Sequence, residues 1–269
     1  MKKSRKILFI SILAICILAI NIGVYLQFFR SEKKEQEGRE LILQQAIQEF
    51  DTIFKNECDL QNNNVLNTIK NEEGKQLIYT SNKKTEIKQG EYNISVNIPR
   101  ININNNIIQE YNKKINSIFK SKLDNILLYK QSNTIYTVEY QAYLNDNILS
   151  LIIKATLKEG NNPQRLIIQT YNYDINTNKE VNLKDLLQTR DITEDKVYQT
   201  IKERIEEENK QSEELKQIIG QNIYTRDINS NIYKLENTNT FFLGKDNILY
   251  ILYPYGNANY TSELDIITF

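Results

Sequence analysis

The chain has 269 residues, with 34 lysines and arginines against 34 aspartates and glutamates, two cysteines and no histidine. Without histidine, the Ser-His-Asp and Cys-His arrangements, the usual general base and nearly every catalytic zinc site are excluded. Lys2, Lys3, Arg5 and Lys6 crowd the N-terminus, so the rest of the chain sets 30 positive charges against 34 negative, a mildly acidic balance that disfavours nucleic acid and favours a basic partner.

The first element is an apolar run that opens at Ile7 and closes at Phe29, with no charge between Lys6 and Arg30. About 20 apolar residues cross a bilayer as a helix, so residues 7–29 are read as a single transmembrane helix. The basic residues ahead of it hold residues 1–6 in the cytoplasm, whereas those behind it are matched by Glu32, Glu35, Glu37 and Glu40, which sends the C-terminal part outside. A cleaved signal peptide is the competing reading, but its apolar core is only about 7 to 15 residues and no small-x-small site follows the run here. Cys16 falls inside the span. Cys58 is then the one cysteine outside it, where it can form no internal disulfide.

Residues 30–75 read as a stalk helix and a linker. Leu41, Ala46, Ile47, Phe50, Ile53 and Phe54 recur at helical spacing, a stripe that can pair with a second copy in a homodimer or fold back on the domain. The Asn-rich stretch from Cys58 to Lys75 carries turn formers and little periodicity. Residues 76–269 then form the outer domain. Strands are expected at 76–80 and at 92–98, where Pro99 stops the second. Ile107, Ile108, Tyr111, Ile115, Ile118, Phe119, Leu123, Ile126 and Leu127 make one continuous helix face, capped from Asn104 to Asn106. Segments 134–143, 147–158 and 165–175, separated by short turns, read as an antiparallel meander.

A helical turn is expected at 184–187, a helix at 194–209, and a second short helix capped by Ser212 and ended by Gly220. Strands return at 240–243, 248–253 and 263–269. The fold class is α+β, an antiparallel sheet with helices packed mainly on one face.

Asp174, Asn176, Asn178 and Asp185 imitate the spacing of a calcium loop, but Lys179 stands where the loop's glycine belongs, so a hairpin turn with Asn178 in the left-handed conformation is expected and no metal is assigned. Neither a phosphate loop nor a dinucleotide fingerprint is present, and no cofactor is called for. The most unusual stretch is 253–260. Tyr253, Tyr255, Asn257, Asn259 and Tyr260 put aromatic faces beside amides, which suits sugar stacking or a protein hot spot. The plainer alternative makes these tyrosines the cover of a core edge. Glu203, Glu206, Glu207, Glu208, Glu213 and Glu214 read as a solvated helix face.

Two motifs carry a family resemblance. The alternating Tyr92, Ile94, Val96, Ile98 strand with its helix, and the run Tyr171, Asn172, Tyr173, Asp174, Thr177, Lys179, Val181, Leu183, Lys184, Asp185, Leu186, Leu187, resemble the extracytoplasmic domain of RsiV-type anti-sigma factors. The same domain is similar to the region ahead of the catalytic part of the peptidoglycan deacetylase PdaC. What the resemblance implies is a sensing or binding module over roughly residues 77–269, which in the anti-sigma branch binds lysozyme, a basic protein. Six residues before the membrane run leave no room for a sigma-binding domain, so only the outer module is expected here. The function expected is noncatalytic binding of a lysozyme-like protein or of peptidoglycan. The alternatives are a glycan-modifying enzyme that works with carboxylates only and a structural partner of a membrane complex.

Overall fold

The computed structural model describes residues 50–54, 58, 60, 69–129, 131–220, 225–238, 240–255 and 264–269. Among these, no helix is long and apolar enough to cross a membrane. Residues 7–29, expected to span it, and the stalk ahead of Phe50 lie outside the described residues.

Strands β1 (Ile78–Lys88), β2 (Tyr92–Ile101), β3 (Thr134–Asn145), β4 (Ile148–Lys158), β5 (Arg165–Asp174) and the short β6 (Lys179–Glu180) form a six-stranded sheet in that order. The meander expected from β3 to β5 is antiparallel throughout. β2, however, lies parallel to β3, which corrects the expectation of a wholly antiparallel sheet. The cause is the helical connection between them, because a helical crossover returns the chain to the end where the first strand began. β1 also continues to Lys88. Its Asn82, Lys84 and Glu86 sit opposite Ile98, Val96 and Ile94, and at the sheet rim a strand needs no apolar alternation to pair.

β2 runs through Pro99 instead of stopping there. Pro99 lies opposite Thr80, where the register slips between Thr80 and Asn82, so its missing N–H falls at an irregularity, and the Ser81 hydroxyl donates to the Ile98 carbonyl at 3.2 Å.

The crossover consists of α1 (Asn106–Ile115), one π-helical turn (Asn116–Lys120) and α2 (Ser121–Tyr129), with Asn105 as N-cap. Tyr111, Ile115, Phe119 and Leu123 are four residues apart and all buried. In a regular α-helix each such step rotates the side chain by about 40° away from the last. The wider π turn absorbs that drift and keeps the face on the sheet. Within it the Phe119 carbonyl accepts the Tyr136 hydroxyl at 2.9 Å. This face packs on Ile94, Val96, Val138, Leu151 and Ile153 to form the larger core.

A separate three-stranded antiparallel sheet contains β7 (Thr240–Leu243), β8 (Leu249–Pro254) and β9 (Leu264–Thr268). Helices α3 (Leu183–Thr189) and α4 (Glu194–Ile219) close a second core over it, with Leu186, Val197, Ile201 and Ile205 against Phe241, Leu249, Ile251 and Ile267. α4 is one helix of 26 residues where two were expected. Thr193 caps its start through the Lys196 N–H and Gly220 ends it in the left-handed conformation, while Ser212 sits inside, where a single serine costs too little to break a helix. Helices therefore cover one face of each sheet.

Asparagine side chains tie these parts together. Asn112 accepts the Ile101 N–H and donates to the Ile101 carbonyl, both at 2.9 Å. Asn102 does the same for Glu72, at 2.8 and 3.0 Å. Each amide stands in for a neighbouring strand and satisfies both main-chain groups of one distant residue. Between the two cores, Asn172 Nδ2 donates to the Phe241 carbonyl at 2.8 Å, and Asn172 Oδ1 accepts the Ser150 hydroxyl at 2.7 Å. Ser150 Oγ in turn accepts the Leu243 N–H at 3.1 Å.

The last residues of the expected stalk stripe fold back on the domain. Phe54 is buried with Lys154 Nζ 4.3 Å above its ring, and Phe50 lies 5.7 Å from Phe54 and 6.4 Å from Phe242. Cys58 is a free thiol packed against the larger core; burial pushes it up to about 12, against the lowering effect of its bond to the Ala142 backbone.

Candidate functional site

The stretch singled out at 253–260 leaves β8 at its end. Alternation along β8 turns Tyr253 inward, where it is fully buried, and its hydroxyl donates at 2.7 Å to Asp265, its cross-strand partner on β9. Arg226 meets the same carboxylate. Its Nη1 donates to Asp265 Oδ2 and to Glu208 Oε2, each at 2.8 Å, and its side chain is 1% exposed. Three rings surround the guanidinium, Tyr255 at 4.4 Å, Tyr253 at 5.3 Å and Tyr233 at 5.4 Å from its carbon. Its backbone is gripped as well: Asn209 of α4 accepts the Arg226 N–H and donates to its carbonyl, both at 2.8 Å. Helix α4, the 225–238 connection, β8 and β9 thus meet on one charge.

Electrostatics separate the two carboxylates. Burial would raise Asp265, but the Tyr253 hydroxyl, Arg226 and the Ile266 N–H together hold it below the ordinary aspartate range. Burial, aided by the neighbouring Asp265 charge, raises Glu208 above the ordinary glutamate range against the pull of Arg226 and Arg204. A carboxylate raised by folding adds stability below its unfolded pKa and loses it as pH climbs through the folded value; one lowered by folding does the reverse. As pH falls from neutrality, the pair's contribution should first rise as Glu208 takes its proton, then fall as Asp265 takes its own. In acid denaturant titrations, Glu208→Gln should remove the rise and Asp265→Asn the fall. Unchanged pH profiles in both variants would rule this assignment out.

Opposed shifts in a carboxylate pair are what acid–base catalysis uses. Here the guanidinium binds both carboxylates and, among the described residues, three tyrosine rings surround it, so the arrangement is a clamp. Of the expected contact residues, Tyr253 is a core side chain of this clamp and Tyr255 is its half-buried lid, while Asn257, Asn259 and Tyr260 lie outside the described residues. The turn at 174–178 is filled by its own backbone: Asp174 Oδ1 accepts the Asn176 and Thr177 N–H groups at 2.8 and 3.1 Å, and Asn178 is left-handed at φ 56°.

No family model matches the chain, and no curated protein does. Two solved structures are similar to it at a low level. One is a DUF3298 family protein from Pseudomonas aeruginosa PAO1, with a TM-score of 0.39 and 9% identity over 71% of this chain and 85% of that one. The other, a DUF3298 family member from Bacteroides fragilis NCTC 9343, has a TM-score of 0.31 and 12% identity over 66% of this chain and 81% of that one.

Sequence reasoning reached Tyr253 and Tyr255 but missed Arg226, Tyr233 and Asp265, and it read Glu208 as solvated. The one local signal available was the position of Glu208 on α4, three and seven residues after Ile205 and Ile201, on the buried side of the helix.

Proposed function

We propose that this chain is a noncatalytic binding or sensing module, anchored by residues 7–29 in the cell membrane with its N-terminus in the cytoplasm and its domain outside, whose ligand is a basic lysozyme-like protein or a cell-wall component. The observation that carries this reading is the Arg226 clamp. The buried charges hold Tyr255 and Asp265, the described residues on either side of residues 256–263, which favours a positioning role over a reaction. Asn257, Asn259 and Tyr260 would supply the contacts, together with Tyr255. α4 exposes Glu203, Glu206, Glu207, Glu213 and Glu214, a sign of charge that attracts a basic partner.

The test is calorimetric titration of the full-length protein in detergent with lysozyme at low and high salt. Binding that weakens as salt rises, and that drops about tenfold in Tyr255→Ala, is the expected result. Heat signals absent at both salts would remove the protein ligand, and an unchanged affinity in Tyr255→Ala would remove the segment.

A further inference from the structure

The six-stranded sheet has a second face, turned away from α1 and α2, and its chemistry over β1 to β4 differs from that of the rest of the domain. One register row crosses four strands: Thr85 pairs with Ser95, Ser95 with Thr137, and Thr137 with Thr156. Neighbouring strands are about 4.8 Å apart, so the four hydroxyls form a line about 14 Å long. None of the four hydroxyls is engaged by another described residue, and each can both donate and accept. The next row along the strands is Ile87, Asn93, Ile135 and Lys158, and its first three residues border a cleft of about 200 Å³ between the β1–β2 turn and the start of β3. Ile87 is 67% exposed at its lip, Asn133 lies in its wall, and the charges at the rim, Lys88 and Glu91, neutralise each other at 2.7 Å.

We propose that this face is a binding site for a glycan chain of N-acetylated hexoses, with one sugar seated in the cleft and its neighbours along the hydroxyl row. The inference rests on the extracytoplasmic placement proposed above and assigns the cell-wall ligand to a surface separate from residues 253–260. The cleft is smaller than the roughly 300–1,000 Å³ of pockets for drug-sized ligands, which limits it to one ring. Ile87 and Ile135 offer apolar contact to the C–H face of that ring and to an acetyl methyl, while the Asn93 side chain matches an acetamido group beside Asn133, whose Nδ2 donates to the Gly160 carbonyl at 2.8 Å. The row of neutral hydroxyls exchanges bonds with sugar hydroxyls, and Lys83, Lys154 and Lys158 flank it in the neighbouring rows. An extended peptide would seek the sheet edge, where main-chain groups are free to pair, and not this face.

The experiment is titration of the full-length protein in detergent with the tetrasaccharide of β-1,4-linked N-acetylglucosamine, followed by calorimetry and by hydrogen exchange of β1 to β3. Sugar-dependent protection of these strands is expected. Thr137→Lys and Ile87→Asp should each weaken binding at least tenfold, and Leu128→Ser, exposed at the end of α2, should leave it unchanged. Hydrogen exchange needs no variant, so the outcome stands even if one substitution disturbs folding. Absence of binding up to about 10 mM sugar overturns this inference while leaving the lysozyme titration to decide the proposed function. Binding that survives both face substitutions, or that is lost in Tyr255→Ala instead, also overturns it.

Discussion

Replacing Arg226 by alanine is expected to cost the fold about 3–5 kcal/mol, read as a shift in the urea midpoint of the full-length protein. The size follows from what is left behind. Glu208 and Asp265 both lose the charge that each meets at 2.8 Å, with side chains only 20% and 10% exposed. Removing one partner of a buried ion cluster costs far more than the cluster contributes, because the orphaned charges keep their desolvation penalty. Two further variants separate this cause from a simple loss of packing. Arg226→Lys keeps the charge but not the planar fork or the ring contacts, so it should fall between wild type and alanine. Arg226→Met combined with Glu208→Gln and Asp265→Asn removes all three charges together and should recover part of the loss. A shift below about 1 kcal/mol in Arg226→Ala would mean that the cluster behaves like an exposed ion pair, contrary to its burial.

The clamp also marks the limit of what the sequence discloses. Local periodicity was enough for the helix face from Ile108 to Ile126 and for the β3 to β5 meander, because both patterns are written in consecutive residues. Strand direction is not written that way. The alternation of β2 is the same whether it runs with or against β3, and only the helical crossover between them decides. β1 was cut short because a rim strand tolerates Lys83, Lys84 and Glu86, which look like loop. The division into two sheets was not legible either, since β7 to β9 differ from β3 to β5 in no residue pattern, only in what they pair with. In the candidate site, Arg226 and Asp265 are 39 positions apart and joined through side chains, a link with no spacing to find. Asn102, Asn112, Asn172 and Asn209 prove to be the residues that fasten one segment's backbone to another.

Of these, Asn172 should be the most costly to lose, because it joins the two cores. Asn172→Leu nearly preserves volume but leaves the Phe241 carbonyl without its donor and the Ser150 hydroxyl without its acceptor. A buried polar group stripped of its partner costs about 1–3 kcal/mol, so a loss of about 2–4 kcal/mol is expected. Ser150→Ala breaks the same chain from the other side and leaves the Leu243 N–H unsatisfied. The two substitutions share one hydrogen bond, so their effects should fall short of additive by about 1–2 kcal/mol in a double-mutant cycle. The change should also be uneven across the domain. β7 owes its attachment to the larger sheet to these two side chains and to Asn145, whose amide reaches the Gly244 carbonyl at 3.0 Å. Hydrogen exchange in β7 to β9 should therefore accelerate while β3 to β5 stay protected. Equal acceleration in both sheets would mean that the cores unfold as one unit, and that the aromatic contacts of Phe242 with Tyr143 and Phe50, rather than the polar chain, hold them together.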